Sequence, residues 1–129
     1  MLLENKVIII TGGSSGMGLG MAKEFVKQGA KVVITGRDAE RLEKAKHEIL
    51  SYSSSIETFQ MDVREVSHVD AMVAFTVEKF GRIDSLVNNA AGNFIVQAEK
   101  LSANGWKAVI DIVLNGTFYC SSAVGRYWI

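Results

Sequence analysis

The sequence predicts an α/β fold: a doubly wound, parallel sheet in strand order 3-2-1-4. Two observations carry that expectation. Short β-branched runs alternate with amphipathic helical patterns along the whole chain. The first run, Val7 to Ile10, ends in a glycine turn and passes at once into a helix, with a second strand at βαβ distance. Right-handed crossovers and the doubly wound order place a crevice between the first and fourth strands.

Each element has a local reason. The run at 7–11 is apolar without alternation, as a strand buried on both faces must be. A helix over 17–28 follows, closed by Gly29 as its C′ residue. Strand 31–35 ends at Gly36-Arg37, and Asp38 can cap helix 39–50, whose apolar face carries Leu42, Ala45, Ile49 and Leu50. A polar loop at 51–55 leads to strand 56–61. The stretch 65–80 is helical by period, with Val66, Val69, Val73, Val77 and Phe80 on one side and Gly81 at its end. Strand 83–88 follows, then a loop over 90–101. From Ser102 a long helix carries Trp106, Val109, Ile110, Val113, Leu114, Phe118 and Val124 as its apolar stripe. The pattern ends within that helix, without a cap or closing strand. The expectation is therefore one partial domain over 1–129, cut from a larger unit, with a half-covered final helix and edge strand.

Bulk composition narrows the classes. The chain has 129 residues, 48% hydrophobic and 22% charged, as a soluble globular domain does. Fourteen basic and fourteen acidic residues cancel, so no nucleic-acid partner is expected. Apolar runs of four or five residues are short for a membrane span, and the N-terminus has no signal-peptide pattern. The single Cys120 rules out an internal disulfide and fits a reducing compartment, so a cytoplasmic location is expected. Cys120 reads as core packing, and His47 and His68 as surface residues without convergent partners. No metal-ligand spacing appears.

The candidate site gathers at the crevice. In Thr11-Gly12-Gly13-Ser14-Ser15-Gly16-Met17-Gly18, the residues Gly12, Gly16 and Gly18 permit positive φ and close backbone approach. The helix behind them directs its free N–H groups and positive dipole end at the turn, which suits a pyrophosphate. Ser14 and Ser15 can donate hydroxyls to phosphate oxygens, or simply stabilise the turn. A Rossmann unit places an acid for the ribose 2′-hydroxyl just past the second strand; this chain has Gly36 and Arg37 there. A guanidinium favours a 2′-phosphate, hence NADP(H) over NAD(H), although a solvated arginine is the plainer alternative. Asp62, followed by Val63, can accept from an adenine amino group or act as a helix-side cap. In Asn88-Asn89-Ala90-Ala91-Gly92, small residues keep bulk from a ligand and the asparagines can tie strand ends. Asn115-Gly116 interrupts the final helix, and a kink with a released carbonyl would explain both residues.

Together these motifs resemble the short-chain dehydrogenase/reductase family over essentially the whole chain. Its T-G-x-x-x-G-x-G turn matches Thr11, Gly12, Gly16 and Gly18, and its aspartate after the third strand matches Asp62. Its N-N-A-G motif matches residues 88–92 with one alanine inserted, and its helical asparagine matches Asn115. The runs 90–94 and 111–118 look most like the 2,4-dienoyl-CoA reductases, which use NADPH to reduce conjugated acyl-CoAs in β-oxidation. That resemblance implies that Asn93 and Phe94 lie against the acyl thioester and that Arg37 binds the 2′-phosphate. It also implies that Asn115 anchors a water of the proton relay. The family's serine and Tyr-x-x-x-Lys pair have no counterpart here, because Tyr127 is followed by two residues and no lysine. The 129 residues alone are thus expected to be inactive. The alternatives are a dinucleotide-binding protein without turnover, an NADP sensor, or a dehydrogenase acting on another carbonyl or alcohol. Family members often form tetramers through the long helix that ends this sequence.

Overall fold

Strands and helices alternate as the sequence predicts in the computed structural model, which describes residues 1–91 and 96–129. Strand β1 (Val7–Thr11), helix α1 (Gly16–Lys27), β2 (Lys31–Gly36), α2 (Ala39–Leu50), β3 (Ile56–Gln60), α3 (Val66–Phe80) and β4 (Ser85–Val87) follow in turn. The four strands are parallel in the order β3-β2-β1-β4. In register, Ile9 of β1 lies between Val33 of β2 and Leu86 of β4.

All five residues of β1 are buried because helices cover both faces of the sheet. Ile8, Ile10, Val32 and Ile34 face α1 and α2, where they meet Ala22, Val26, Leu42, Ala45 and Ile49. Ile9 and Val33 face the other way, among Val69, Met72, Cys120 and Val124. Each such side chain contributes about 1.5–3 kcal/mol by leaving water. Burial pushes the Cys120 thiol up to about 11, consistent with a packing role. Helix ends follow the sequence signals. The Asp38 carboxylate accepts from the amides of Glu40 and Arg41, and Gly29 and Gly81 take positive φ after α1 and α3.

Three expectations are corrected. Strand β4 pairs over three residues only, Ser85–Val87; just before it the Asp84 carboxylate accepts from the Val7 amide at 2.8 Å. The buried line of α3 is Val69, Met72 and Thr76, with Val66 exposed; the Thr76 hydroxyl is satisfied by donating to the Met72 carbonyl. Leu50 of α2 is likewise exposed.

The final helical stretch is not one regular stripe. Ser102 caps α4 (Ala103–Ile110) by accepting from the Gly105 amide, a π-turn spans Asp111–Asn115, and α5 (Gly116–Trp128) follows. A π-turn inserts a residue and rotates the phase of everything after it. Gly116, Cys120, Ala123 and Val124 therefore turn inward, while Leu114 and Phe118 face outward at 61% and 66% exposure. The whole stretch, Ala103–Trp128, is long and apolar enough by length and composition to cross a membrane. Here its α5 part packs on the sheet, and the Trp128 indole N–H donates to the Ile83 carbonyl at 2.7 Å.

Candidate functional site

The C-terminal ends of β1, β2, β3 and β4 open onto one cleft of about 720 Å³. Of the residues singled out in the sequence, Gly12, Ser14, Ser15, Arg37, Asp62, Val63, Asn89 and Ala90 lie on its wall. Thr35, Gly36, Asp38, Arg41, Met61, Ala91 and Ile112 complete it. Gly92, Asn93 and Phe94 lie outside the described residues.

Behind the wall, Thr11 and Asn89 lock β1 to the end of β4. The buried Thr11 hydroxyl oxygen accepts from the amides of Asn89 and Ala90 at 3.1 and 3.0 Å. The Asn89 side-chain amide donates to the Gly12 carbonyl at 2.9 Å, so this asparagine does tie strand ends. Asn88 instead donates to Ser121 on α5. Gly12 takes φ +67°, and a Cβ there would stand 2.9 Å from the Ala90 backbone. Gly18 has no positive φ, against the sequence reading. It is glycine because a Cβ would lie 2.3 Å from the Gly12 carbonyl oxygen and 2.5 Å from the Asn89 amide.

At the start of α1 the backbone is open. Gly16 has φ +56° with nothing near the place of a Cβ, and Met17 beside it is 81% exposed. The first turn carries no acidic residue, and the Ser15 hydroxyl makes no capping bond. The first helical bond runs from Leu19 to the Ser15 carbonyl, so the amides of Gly16, Met17 and Gly18 precede the ladder. That is an uncompensated positive helix end at the mouth of the cleft, the arrangement a pyrophosphate needs.

The rim after β2 is basic. Arg37 is exposed and has no ion-pair partner among the described residues. Asp38, its neighbour in sequence, uses its carboxylate on the α2 cap and on Arg41 at 3.7 Å. Arg41 escaped the sequence reading, although its spacing of four from Arg37 was the available signal.

Across the cleft, Asp62 is engaged by a residue the sequence reading overlooked. The Arg64 guanidinium grips its carboxylate, with the shortest contact at 2.6 Å, and holds Asp62 below the usual carboxylate range. The Asp62 amide donates to His68 Nδ1 at 3.1 Å, so His68 is exposed but not partnerless. Asn115 does not reach the cleft wall; its amide donates to the Asp111 carboxylate at 2.9 Å within the π-turn. Gly116 has a packing reason beyond a kink. A Cβ there would lie 2.7 Å from Val63 Cγ2, so α5 packs this closely on the segment after β3 because Gly116 has no side chain. Ile112, from the same turn, is the residue this helix presents to the cleft.

Relatives agree with this geometry. A family model described as short chain dehydrogenase matches residues 6–129. A Bacillus subtilis protein named "Probable 2,4-dienoyl-CoA reductase" is 57% identical over 127 residues, which is 98% of this chain and 50% of that protein. The crystal structure of a short chain dehydrogenase from Bacillus anthracis superposes with a TM-score of 0.94 at 63% identity, covering 98% of this chain and 52% of the other. A 3-ketoacyl-(acyl-carrier-protein) reductase from Brucella melitensis, complexed with NADH, gives a TM-score of 0.85 at 35% identity, with 98% and 50% covered. The chain thus spans about half the length of these relatives.

Proposed function

The chain belongs to the short-chain dehydrogenase family, and on that premise we propose that it is the cofactor-binding part of an NADPH-dependent reductase of 2,4-dienoyl-CoA. One observation carries the cofactor reading. The cap residue of the open α1 N-terminus, Ser15, and Arg37, which has no ion-pair partner among the described residues, line the same cleft, one end suited to a pyrophosphate and the other to a 2′-phosphate. Gly36 leaves no carboxylate at the strand end, and Asp38 is committed to its cap, which argues against a ribose 2′-hydroxyl partner.

In this reading the amides near Gly16 and Met17, with Ser14 and Ser15, take the pyrophosphate. Arg37, assisted by Arg41, takes the 2′-phosphate, Asp62 and Val63 border the adenine, and Asn89, Ala90 and Gly92 border the remaining nucleotide. When bound, the nicotinamide supplies a hydride to the substrate. Thr11 and Asn89 keep the ends of β1 and β4 at fixed distance, so the two halves of such a ligand meet a rigid floor. Asn93 and Phe94 are proposed to contact an acyl-CoA thioester. Asn115 acts through the backbone of its π-turn, since its side chain is bonded to Asp111. The identity to the Bacillus subtilis protein supports the dienoyl substrate. A cytoplasmic setting and assembly into tetramers belong to the same proposal.

The test is reductase turnover. The protein extended to the length of its relatives should consume NADPH in the presence of a 2,4-dienoyl-CoA, and residues 1–129 alone should not. Turnover of a 3-ketoacyl thioester but not of the dienoyl substrate would move the substrate to the carbonyl class. Turnover by residues 1–129 alone would overturn the division of labour.

A further inference from the structure

Asp62 is held from both ends. Its Oδ1 accepts from the Arg64 backbone N–H and from Arg64 Nε, each at 3.0 Å. Its Oδ2 accepts from Arg64 Nη2 at 2.6 Å and shares Nε at 3.1 Å. Its own amide donates to His68 Nδ1. The backbone bond closes an Asx-turn, which orders the carboxylate relative to the chain before the guanidinium fork fixes its plane. Both side chains are partly covered, Asp62 at 19% and Arg64 at 36% exposure, so the pair is less screened than an open surface bridge.

A carboxylate offers roughly four acceptor directions. Three donors of one residue occupy most of them, and Asp62 nevertheless lies on the cleft wall. Such an acceptor suits one incoming N–H donor in one orientation. It disfavours a ligand that presents an oxygen there, because two acceptors then face each other.

We propose that Arg64 is a positioning residue that sets the Asp62 carboxylate so that the cleft selects adenine over a base lacking the exocyclic amino group. The inference rests on the dinucleotide reading above and on Asp62 as its adenine partner. Arg64 also holds the Asp62 carboxyl below the usual carboxylate range, so the acceptor persists where an ordinary carboxylate would begin to protonate.

The probe is a pair of ligands, NADPH and its hypoxanthine counterpart, in which a carbonyl oxygen replaces the adenine amino group. Wild type is expected to bind NADPH about tenfold more tightly than the hypoxanthine form, as for a charge-assisted hydrogen bond. Arg64→Met should bring that ratio below about twofold, and Arg64→Lys, which keeps the charge without the fork, should fall between. A merely structural role would weaken both ligands together and leave the ratio intact, and an unchanged ratio in Arg64→Met overturns the proposal. Asp62→Ala separates the two layers. If wild type has no preference, or Asp62→Ala retains it, the adenine role of Asp62 fails and this inference falls with it. If Asp62→Ala loses the preference and Arg64→Met does not, the role of Arg64 alone fails.

Discussion

The two sides of the cleft are built by different means. On the β1–α1 side the chain dictates its own path: Gly12 and Gly16 take positive φ, and Gly18 lies against Gly12 where a Cβ has no room. On the α4–α5 side the path is set by contacts between distant segments. Gly116 rests on Val63, Asn115 bonds Asp111 inside a π-turn, and Trp128 is tied to Ile83. On the first side positive-φ glycines set the path and Asn89 and Ala90 of the β4 end lock it, whereas on the second packing sets it, so the same residue type means different things in each.

Glycine substitutions break that contrast most sharply. Gly18→Ala should cost about 2–3 kcal/mol and dislodge Asn89, since the added methyl meets a carbonyl and an amide that cannot move independently. Chemical denaturation would read it as a lowered midpoint. Thr11→Val keeps the shape but leaves the Asn89 and Ala90 amides without their acceptor; we expect a loss of about 2 kcal/mol in the same assay. On the packed side, Gly116→Ala should cost about 1–2 kcal/mol, and Val63→Ala in the same molecule should restore part of it. Restoration would show contact rather than helix propensity at work. Gly20, two residues from Gly18, has open space around it, so Gly20→Ala should stabilise α1 by about 0.5–1 kcal/mol in thermal melts. Phe118→Ser, on the outward face of α5, should change the melting midpoint least, within about 0.5 kcal/mol.

What was legible in the sequence follows the same division. Strand order, the glycine turn, the Asp38 cap and the tie between Asn89 and β1 all came from period and local chemistry. The stripe of the last helix was legible only in part: Val124 is buried as expected, but Trp106 in α4 and Leu114 and Phe118 at and after the π-turn are exposed, and a fixed 3.6 period cannot register the inserted turn. On α3 the expected face holds at Val69, Val73, Val77 and Phe80 and fails at Val66; what the period left out is Met72 and Thr76, the latter buried because its hydroxyl is satisfied within the helix. Arg64 was passed over, and His68 was read as a surface residue without its bond to the Asp62 amide, because each meets Asp62 across a turn, through pairings that no helical or strand period encodes.

Titration of NADPH and NADH against the protein, followed by quenching or transfer of tryptophan fluorescence, tests the central claim that this cleft is a site for a 2′-phosphorylated dinucleotide. NADPH is expected to bind at least tenfold more tightly than NADH, and Arg37→Ser should bring the two together by weakening NADPH alone. Equal affinities in the unaltered protein, or an Arg37→Ser protein that keeps the preference, would contradict the account.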